Sequence, residues 1–470
     1  MGSVWTASCE IPQRDTLQDD IEVNTAVIGA GMAGILTAYR LQEKGVETVV
    51  LEANRIASGQ TKNTTAKLTS QHGIIYSLIK ENAAQYARAN ENAIGEYEKI
   101  IQQRQIDCDF EKRDAYVYSQ TDETQLVREA SAAKNAGLPA SFVTETPLPF
   151  PVKGAVKFEN QAQFNPLKFI REVSSGLTIY EKTKVLSIKD GIIYTDGGKV
   201  RAKNIVFATH FPFINVPGYY FARMHQERSY VVALENAPQL DGMFISAEND
   251  GLSFRNYQNL LFIGGGNHRT GENKQGGRYD YLLAKAQKLF PGATENTRWS
   301  AQDCMTLDCI PYIGRFSQAT PNWYVATGFM KWGMTTSMAA ADIISDAICG
   351  IENPNAEVFS PKRFNASSVP PLIENSAEAI KGLTKEKFKI PEAVLAEIPI
   401  GHGGIIEMNG KKVGVFRETG GKTHTVLTKC PHLGCQLEWN PDEKSWDCPC
   451  HGSRFDYTGR LIDNPAQKNL

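Results

Sequence analysis

The first part of the chain contains two apolar runs separated by an amphipathic stretch. One run lies around Ala26 to Ile28, and the other is VVLE, which ends at Glu52. Continuous apolar runs of this length are typical of buried strands, and the apolar positions between them recur at helical spacing. The pattern therefore predicts a βαβ unit over residues 22–53.

Further segments also show a regular spacing of apolar residues. Residues 77–105 have apolar positions at helical spacing, and residues 182–211 alternate as a β-meander that leads into the strand IVFATH. The segments RSYVVALE (228–235) and LLFIGGGNHRTGE (260–272) predict strands of an antiparallel sheet. We therefore expect one helical and one sheet-rich insertion within the α/β part of the chain.

This pattern breaks after about residue 350. The sequences ENPN and SVPPL interrupt it, and a short helix is expected within residues 375–389. Beyond residue 396, apolar and polar residues alternate around N-G and G-G turns, which is typical of small antiparallel domains. The C-terminal segment is thus expected to form a separate all-β domain.

Length and charge bound the number of domains and the class of partner. At 470 residues the chain exceeds the roughly 250–300 residues of one hydrophobic core, so two or three domains are expected. The net charge of −2 gives no basic surface for nucleic acid. No apolar run reaches the ~20 residues of a membrane span, and the opening residues lack a secretory pattern. We expect a cytoplasmic protein with no nucleic-acid partner and no membrane span.

Three glycines follow the first apolar run in the pattern G-x-G-x-x-G. Gly29 permits a tight turn, Gly31 lets a pyrophosphate approach the backbone, and Gly34 lets the following helix pack closely on the strand. The helix N-terminus offers N–H groups and positive partial charge to the diphosphate. Glu52 can accept hydrogen bonds from both ribose hydroxyls, which disfavours a 2′-phosphorylated nucleotide. The motif predicts a dinucleotide site for either FAD or NAD.

Three segments distinguish between these nucleotides. Residues 52–73 form a loop of small and hydroxyl side chains, residues 299–315 read WSAQDCMTLDCIPYIGR, and residues 324–348 combine a strand, a glycine-rich turn and a helix. All three resemble D-amino-acid oxidase-like flavoproteins, which implies FAD as the cofactor. Besides the three glycines, the contacts expected for it are Glu52, Ala53, Arg55, Ser58, Gly59, Thr61, Val185, Thr209, Gly328, Lys331, Trp332, Gly333 and Met334.

The same resemblance implies the chemistry of the first part. An amine-type small molecule would be oxidised by hydride transfer to FAD. His268 and Lys331 are candidate catalytic residues, although such residues beside a glycine turn are more commonly structural hydrogen-bonders. Arg223 and Arg255 would hold an anionic substrate or form salt bridges. Thr335 stands where sarcosine oxidases carry a lysine, which argues against a simple amino-acid substrate.

Two cysteines and two histidines near the C-terminus have the spacing of metal ligands. They are Cys430-x-His432 and Cys448-x-x-His451. Zinc accepts this ligand set, but zinc fingers usually pair like ligands and need a helix. A disulfide alone leaves the histidines unexplained. A Rieske [2Fe–2S] cluster takes two cysteines on one iron and two histidines on the other, so one ligand of each kind from each loop fits it.

The two loops resemble those of cytochrome bc-type Rieske proteins. This resemblance implies a disulfide between Cys435 and Cys450, and a hydrogen bond from Ser453 to a bridging sulfide. Phe455 stands where high-potential members carry a tyrosine whose hydroxyl donates to a ligand cysteine. With one donor missing, we expect a reduction potential below that of the respiratory proteins.

Both halves together resemble a bacterial family of D-amino-acid oxidase-type oxidoreductases with a C-terminal Rieske domain. The fold class implied is a Rossmann-like α/β FAD-binding domain with an antiparallel-sheet substrate domain, followed by an all-β Rieske domain. The expected ranges are 1–20 for an N-terminal arm; 21–80, 155–215 and 290–350 for the FAD-binding domain; 81–154 and 216–289 for the substrate domain; 351–395 for a linker; and 396–470 for the Rieske domain.

This combination predicts an enzyme that converts two-electron into one-electron chemistry. Substrate would reduce FAD, and electrons would pass singly through the cluster to an external acceptor, either a protein or a small molecule. Two alternatives are the reverse flow from a donor to the substrate, and a redox-responsive binding protein with little turnover. A Rieske oxygenase is disfavoured because no pair of histidines with a carboxylate suits a mononuclear iron.

Overall fold

Residues 2–363, 398–408 and 411–470 are described by a computed structural model of the chain. The helix predicted within 375–389 lies outside these residues, as do most of the expected linker and the N-G turn at 409–410. The first and last ranges contain the two candidate cofactor sites.

Helices and strands alternate through the first 360 residues, and the described residues from 398 onwards form strands without helices. The helices are α1 (Val4–Ser8), α2 (Met32–Glu43), α3 (Tyr76–Ile79), α4 (Ala83–Arg104), α5 (Glu123–Asn135), α6 (Pro166–Val173), α7 (Arg278–Leu289), α8 (Gly333–Cys349) and α9 (Ala356–Phe359). The strands are β1 (Ile21–Ile28), β2 (Thr48–Leu51), β3 (Lys67–Leu68), β4 (Glu111–Ser119), β5 (Ala140–Val143), β6 (Gly154–Gln163), β7 (Thr178–Tyr180), β8 (Val185–Lys189), β9 (Ile192–Thr195), β10 (Lys199–Phe207), β11 (Met224–Glu235), β12 (Met243–Ser246), β13 (Ser253–Tyr257), β14 (Leu260–Arg269), β15 (Thr294–Thr306), β16 (Tyr312–Ser317), β17 (Thr320–Thr327), β18 (Gly403–Met408), β19 (Lys411–Arg417), β20 (Thr423–Leu427), β21 (Glu438–Asn440), β22 (Ser445–Asp447), β23 (Arg454–Asp456) and β24 (Leu461–Asp463).

The first sheet contains the predicted βαβ unit. Its main path is β16-β17-β10-β1-β2-β7, and β8 and β9 extend it as a meander beside β10. Strand β1 pairs in parallel with β2 on one side and β10 on the other. Its second half is fully buried, as expected for a parallel strand covered on both faces. The neighbourhood of β1 and β10 is therefore the crevice in which such sheets bind nucleotides.

The second sheet is mainly antiparallel and follows the order β15-β11-β14-β13-β12-β4-β6-β3, with β5 beside β6. It confirms the predicted antiparallel-sheet domain, although β12 and β4, which come from different insertions, run parallel. Strands β3, β6 and β15 belong to this sheet, whereas the sequence ranges assign them to the FAD-binding domain. The domain ranges therefore need correction at these strands, because a strand's apolar period does not specify its partner sheet.

The C-terminal domain consists of two small sheets. Strands β18, β19 and β20 form one antiparallel sheet, and β21 to β24 form the other. Two buried tryptophans, Trp439 and Trp446, pack against each other with their ring centroids 4.7 Å apart. Together with Phe416 and Phe455 they form the small apolar core beneath the cysteine loops.

The N-terminal arm packs into the molecule rather than extending from it. The side chain of Trp5, in α1, is fully buried and donates from Nε1 to the carbonyl of Thr64 at 2.7 Å. Its ring also packs edge-on against the ring of Tyr257, in the second sheet, with the ring centroids 4.7 Å apart. The arm thus touches the loop that follows β2 and the second sheet at once.

Within the described part of the chain, no helix is both long enough and apolar enough to cross a bilayer.

Candidate functional site

The glycine turn after β1 is tightly packed and excludes side chains. Gly29 has a φ of +103°, and a Cβ atom there would lie 2.5 Å from the carbonyl oxygen of Ala208. A Cβ atom on Gly34 would lie 1.9 Å from the carbonyl oxygen of Gly29. The backbone N–H of Met32, at the start of α2, donates to Thr61 Oγ1 at 3.0 Å. These contacts hold the N-terminus of α2 against the turn, as a diphosphate site requires.

Glu52 follows β2 directly and is fixed by the backbone around it. Its two carboxylate oxygens accept hydrogen bonds from the N–H groups of Ala30 and Asn54, both at 2.8 Å. Burial raises the pKa of Glu52. Because each carboxylate oxygen can accept a second hydrogen bond, Glu52 is still able to bind two ribose hydroxyls.

A cavity of about 1230 Å³ opens in front of this turn. Its walls include most of the residues that the sequence assigns to the dinucleotide. Those that line it are Gly29, Gly31, Glu52, Ala53, Ser58, Gly59, Thr61, Val185, Thr209, Gly328, Lys331, Gly333 and Met334. The cradle, the helix terminus, the acid and the size of the cavity all suit a dinucleotide such as FAD.

Three predicted contacts lie outside this cavity wall. Gly34 lies behind the turn, where it acts through packing. Arg55 forms an ion pair with Glu181 at 2.9 Å. Trp332 stacks on His72 with ring centroids 4.7 Å apart. Arg55 and Trp332 are thus corrected to supporting roles, because each side chain turns towards a protein partner.

The turn before α8 and strand β15 bring charged groups to the cavity wall. Lys331 forms an ion pair with Glu227 at 3.3 Å. Burial opposes the ionisation of Glu227, but hydrogen bonding from His225 and the charge of Lys331 lower its pKa to about 2. Asp303 lines the same cavity from β15, and burial raises its pKa to about 6 despite the nearby Lys331. The carboxyl group of Asp303 can therefore bind a cation or accept a proton within the cavity.

Three other sequence candidates have structural roles outside the cavity wall. His268 Nδ1 lies 2.7 Å from the carbonyl oxygen of Arg269 and therefore carries the proton that it donates. In this neutral tautomer Nε2 is an acceptor, and the hydroxyl of Tyr230 donates to it at 2.9 Å. Arg223 donates to the carbonyl of Pro361, and Arg255 donates to the carbonyls of Thr65 and Ala66. His268 is therefore corrected from a catalytic candidate to a structural hydrogen-bonder.

The structure adds His210, which the sequence did not single out, to the cavity wall. It lies in the segment after β10 with a φ of +65°, and burial lowers its pKa to about 4. Its Nε2 is buried and makes no hydrogen bond within the described residues. The only sequence clue to such a position would be its place after a central parallel strand, next to Thr209.

The cysteines and histidines of the C-terminal domain lie on two similar loops. In the first loop the N–H of Cys430 donates to Cys435 O at 2.8 Å, and in the second the N–H of Cys448 donates to Ser453 O at 2.8 Å. A disulfide joins Cys435 to Cys450 and so connects the loops. The sulfur of Cys448 lies within 4.8 Å of both disulfide sulfurs. Since the disulfide sulfurs are bonded to each other, they are not available as thiolate ligands.

The remaining four residues fit a [2Fe–2S] cluster. The Nδ1 atoms of His432 and His451 are buried and have no hydrogen-bond partner among the described residues. Their ring centroids are 5.0 Å apart, and burial lowers their pKa values to about 4 and about 3. Hydrogen bonding from Cys448 lowers the pKa of the Cys430 thiol. Two neutral imidazoles and two adjacent sulfurs are the ligand set of a Rieske centre.

Two residues near the cluster loops bear on its reduction potential. Ser453 Oγ accepts from the N–H of Ala466 at 2.9 Å, and its hydroxyl is also hydrogen-bonded to the thiol of Cys430. Phe455 is fully buried and offers no donor. Hydrogen bonds to the cluster sulfurs stabilise the reduced state, which is the more negative one.

We expect Phe455→Tyr to raise the reduction potential. A new donor worth about 1–2 kcal/mol in the reduced state corresponds to roughly 40–90 mV for a one-electron couple. A redox titration followed by electron paramagnetic resonance measures the shift. Phe290→Tyr, at a buried site outside the C-terminal domain, is the control. An unchanged potential in Phe455→Tyr would show that position 455 does not reach the cluster.

The second cysteine–histidine loop packs directly against the first part of the chain. Gln226 Nε2, on β11, donates to the carbonyl of His451 at 2.6 Å. Gln302 Nε2, on β15, donates to Gly452 O at 2.9 Å and to Gln226 Oε1 at 2.6 Å. A Cβ atom on Gly452 would lie 2.6 Å from that of Gln226. The loop that carries two ligands therefore has no spare room at this interface.

The first cysteine–histidine loop touches the same part of the chain. His432 Nε2 lies 2.8 Å from Asn215 Oδ1, so the imidazole donates to the amide oxygen. The rings of Phe221 and His451 pack edge-on, with their centroids 5.6 Å apart. Both histidine rings thus face the segment between β10 and β11.

An ion-pair network also crosses the interface. Arg228 Nε donates to Glu443 Oε2 at 2.9 Å, and Arg454 pairs with Glu443 at 3.1 Å. Arg454 also pairs with Asp447 and Asp463, both at 3.0 Å. The guanidinium of Arg228 is 1% exposed. Since these charges are buried and mutually paired, the network fixes how the two parts meet.

Comparisons with known proteins give relatives for both parts of the chain. Residues 24–347 match the family model described as FAD dependent oxidoreductase, and residues 390–470 match that of the Rieske [2Fe-2S] domain. YhfW of Bacillus subtilis, named as a Rieske 2Fe-2S iron–sulfur protein, is 37% identical over 99% of this chain and 96% of its own. Gamma-glutamylputrescine oxidoreductase of Escherichia coli is 24% identical over 72% of this chain and 86% of its own. Glycine oxidase from Geobacillus kaustophilus shares the fold over 73% of this chain and 100% of its own, with a TM-score of 0.63 and 19% identity.

Proposed function

Because the chain belongs to the FAD-dependent oxidoreductase family and ends in a Rieske [2Fe–2S] domain, we propose that it oxidises an amine-type small molecule and passes the electrons singly to an external acceptor. When bound, FAD supplies hydride acceptance, and the cluster supplies one-electron transfer. The proposal concerns the substrate class, the electron route and the acceptor.

The observation that carries the proposed route is the hydrogen bond between Gln226 and His451. Gln226 donates to the carbonyl of this ligand residue at 2.6 Å, and the backbone N–H of the adjacent Gln302 donates to Gln60 Oε1 at 2.8 Å. Gln60 lines the dinucleotide cavity. Two glutamines thus separate the cavity from the ligand loop, which supports transfer within one molecule rather than between molecules.

The charged groups in the cavity wall support an amine as substrate. Oxidation of an amine to an imine removes a hydride from carbon and a proton from nitrogen. Asp303 lies in the cavity wall, where its carboxylate can hold an ammonium group or accept that proton. Lys331 is paired with Glu227, so its charge is already balanced by the protein. Gamma-glutamylputrescine oxidoreductase, a relative over most of the first part, adds support for this class by its name.

Anaerobic mixing with a panel of primary and secondary amines tests the proposal. We expect loss of the flavin absorbance first, followed by the absorbance change of cluster reduction. If only a chemically reduced cluster delivers electrons to the flavin and then to an oxidised substrate, the reverse direction holds. If no amine bleaches the flavin and a partner binds in one redox state only, a redox-responsive binding protein is favoured and the proposal is wrong.

Replacing Asp303 with asparagine should slow flavin reduction by the best amine. Loss of a general base typically costs roughly 100-fold or more. The raised pKa of Asp303, about 6, means that the carboxylate is charged above and neutral below that pH. The wild-type rate should therefore rise with pH through about 6, and this step should be missing in Asp303→Asn. Asp280→Asn, at an exposed position of α7, is the matched control, and equal rates in both variants would exclude Asp303.

A further inference from the structure

A short segment of the C-terminal domain lines the dinucleotide cavity. Residues 463–467, here called the strap, contact three separate elements of the first part. Gln60 Nε2 donates to Asp463 Oδ1 at 3.0 Å, and Asn464 Nδ2 donates to the carbonyls of Thr209 and Phe211 at 2.9 and 2.7 Å. Lys184 Nζ donates to the carbonyl of Gln467 at 2.5 Å.

These three contacts surround the nucleotide end of the cavity. Gln60 precedes Thr61, which receives the first N–H of α2. Thr209 follows Ala208, whose carbonyl abuts the Cβ position of Gly29. Lys184 follows Thr183, whose N–H donates to Glu52 O at 2.8 Å. The strap therefore spans the carboxyl edge of the parallel strands, where nucleotides bind in such sheets.

The strap itself belongs to the cavity wall. Asp463, Asn464, Ala466 and Gln467 all line the same cavity as Gly29 and Glu52. A dinucleotide held by the glycine turn and the acid would therefore lie between the first sheet and the strap. In that position the strap would shield the diphosphate and ribose half of the nucleotide from solvent.

The other side of the strap is tied to the cluster loop. The N–H of Ala466 donates to Ser453 Oγ at 2.9 Å, and Asp463 pairs with Arg454 at 3.0 Å. Ser453 and Arg454 directly follow the ligand loop that ends at Gly452. The position of the strap is thus set by the part of the domain that would hold the iron.

We propose that the strap is part of the FAD-binding site, so that the Rieske domain retains FAD as well as exchanging electrons. The ligand class is a dinucleotide whose diphosphate half is covered by residues 463–467. Release of FAD then requires the strap to leave the cavity. This inference does not depend on the substrate or on the direction of electron flow, and its tests contain no substrate.

Replacing Asn464 with alanine tests the strap directly. The variant loses two hydrogen bonds to the first part of the chain, and we expect its FAD to dissociate about tenfold faster or more. The release rate is measured from the rise of FAD fluorescence after dilution, and the cluster is checked by electron paramagnetic resonance. Asn296→Ala, which removes one exposed side-chain hydrogen bond to Glu235, is the matched control. Equal release rates in Asn464→Ala and wild type, with the cluster intact, would overturn the proposal.

A second measurement uses the unaltered protein and so does not depend on the folding of a variant. Hydrogen exchange of residues 461–470 is compared between the FAD-loaded protein and the same protein after removal of FAD, with the cluster retained in both. FAD should slow exchange in this segment and leave the hairpin of β19 and β20 unchanged. If exchange of residues 461–470 does not respond to FAD, the strap is not part of the binding site.

Discussion

Replacing Cys448 with serine is expected to abolish the [2Fe–2S] cluster. Cys448 is buried beside Cys430, and each of the two loops supplies a single thiolate. A hydroxyl is a poor substitute for a thiolate that must bind iron, so iron and acid-labile sulfide should fall to background. Flavin reduction by an amine should persist in this variant, whereas transfer to a one-electron acceptor should stop.

Cys349→Ser provides the matched control for this loss. Cys349 is the last residue of α8 and is only partly buried. Its variant should keep the full iron content and the cluster signal. A Cys448→Ser protein that retains both iron and signal would remove Cys448 from the ligand set, and zinc in place of iron in the wild type would contradict the cluster assignment itself.

Replacing Arg228 with methionine is expected to destabilise the interface between the two parts strongly. The side chains of Arg228 and Glu443 are 1% and 12% exposed, so the change leaves a buried carboxylate short of a partner. Breaking a buried pair in this way typically costs about 3–5 kcal/mol, and Arg454, which also pairs with Glu443, should hold the loss near the lower value. Urea unfolding followed separately through flavin and cluster absorbance should change from one transition to two.

Arg113→Met is the control for Arg228→Met. Arg113 is 41% exposed and pairs with an aspartate that is 87% exposed, and exposed pairs contribute about 0–1 kcal/mol. Its unfolding curve should match that of the wild type. If Arg228→Met also unfolds as the wild type does, the network does not hold the interface together.

The same network gives the interface a defined response to acid. Burial opposes ionisation of Glu443, but the charges of Arg228 and Arg454 lower its pKa from 4.5 to about 2. A carboxylate with a lowered pKa contributes stability above its unfolded value and loses it as the pH falls through its folded value. The contribution of Glu443 should therefore be complete above about pH 4.5 and decline towards pH 2.

Local motifs, together with the family resemblance that they carry, were sufficient to predict both cofactors. The glycine turn depends on three nearby glycines and one acid, and the cluster depends on two short loops, so the residues that matter are close in sequence. The fold class followed from the family resemblance that these motifs carry. Asp303, by contrast, reaches the cavity only because β15 pairs with β11, and the ligand loop meets Gln226 only after two domains have docked.

The errors share this long-range origin. His268 lies beside glycines in sequence, but its ring faces Tyr230 rather than the cavity. Strands β6 and β15 have the same alternation in either sheet, so the pattern did not reveal which sheet they join. Arg55 follows the acid as a phosphate ligand would, yet Glu181, more than a hundred residues later, binds it.

The order of strands in the first sheet has a consequence for synthesis on the ribosome. Strand β10 pairs with β1 on one side and with β17 on the other. The sheet is therefore complete only after residue 327 has emerged from the ribosome. At about 5–20 residues per second, the ribosome exposes β1 roughly 15–60 s before β17. The nascent first half must therefore remain soluble with an open sheet edge, whereas the C-terminal domain builds both of its sheets from consecutive strands and can fold as soon as it is released.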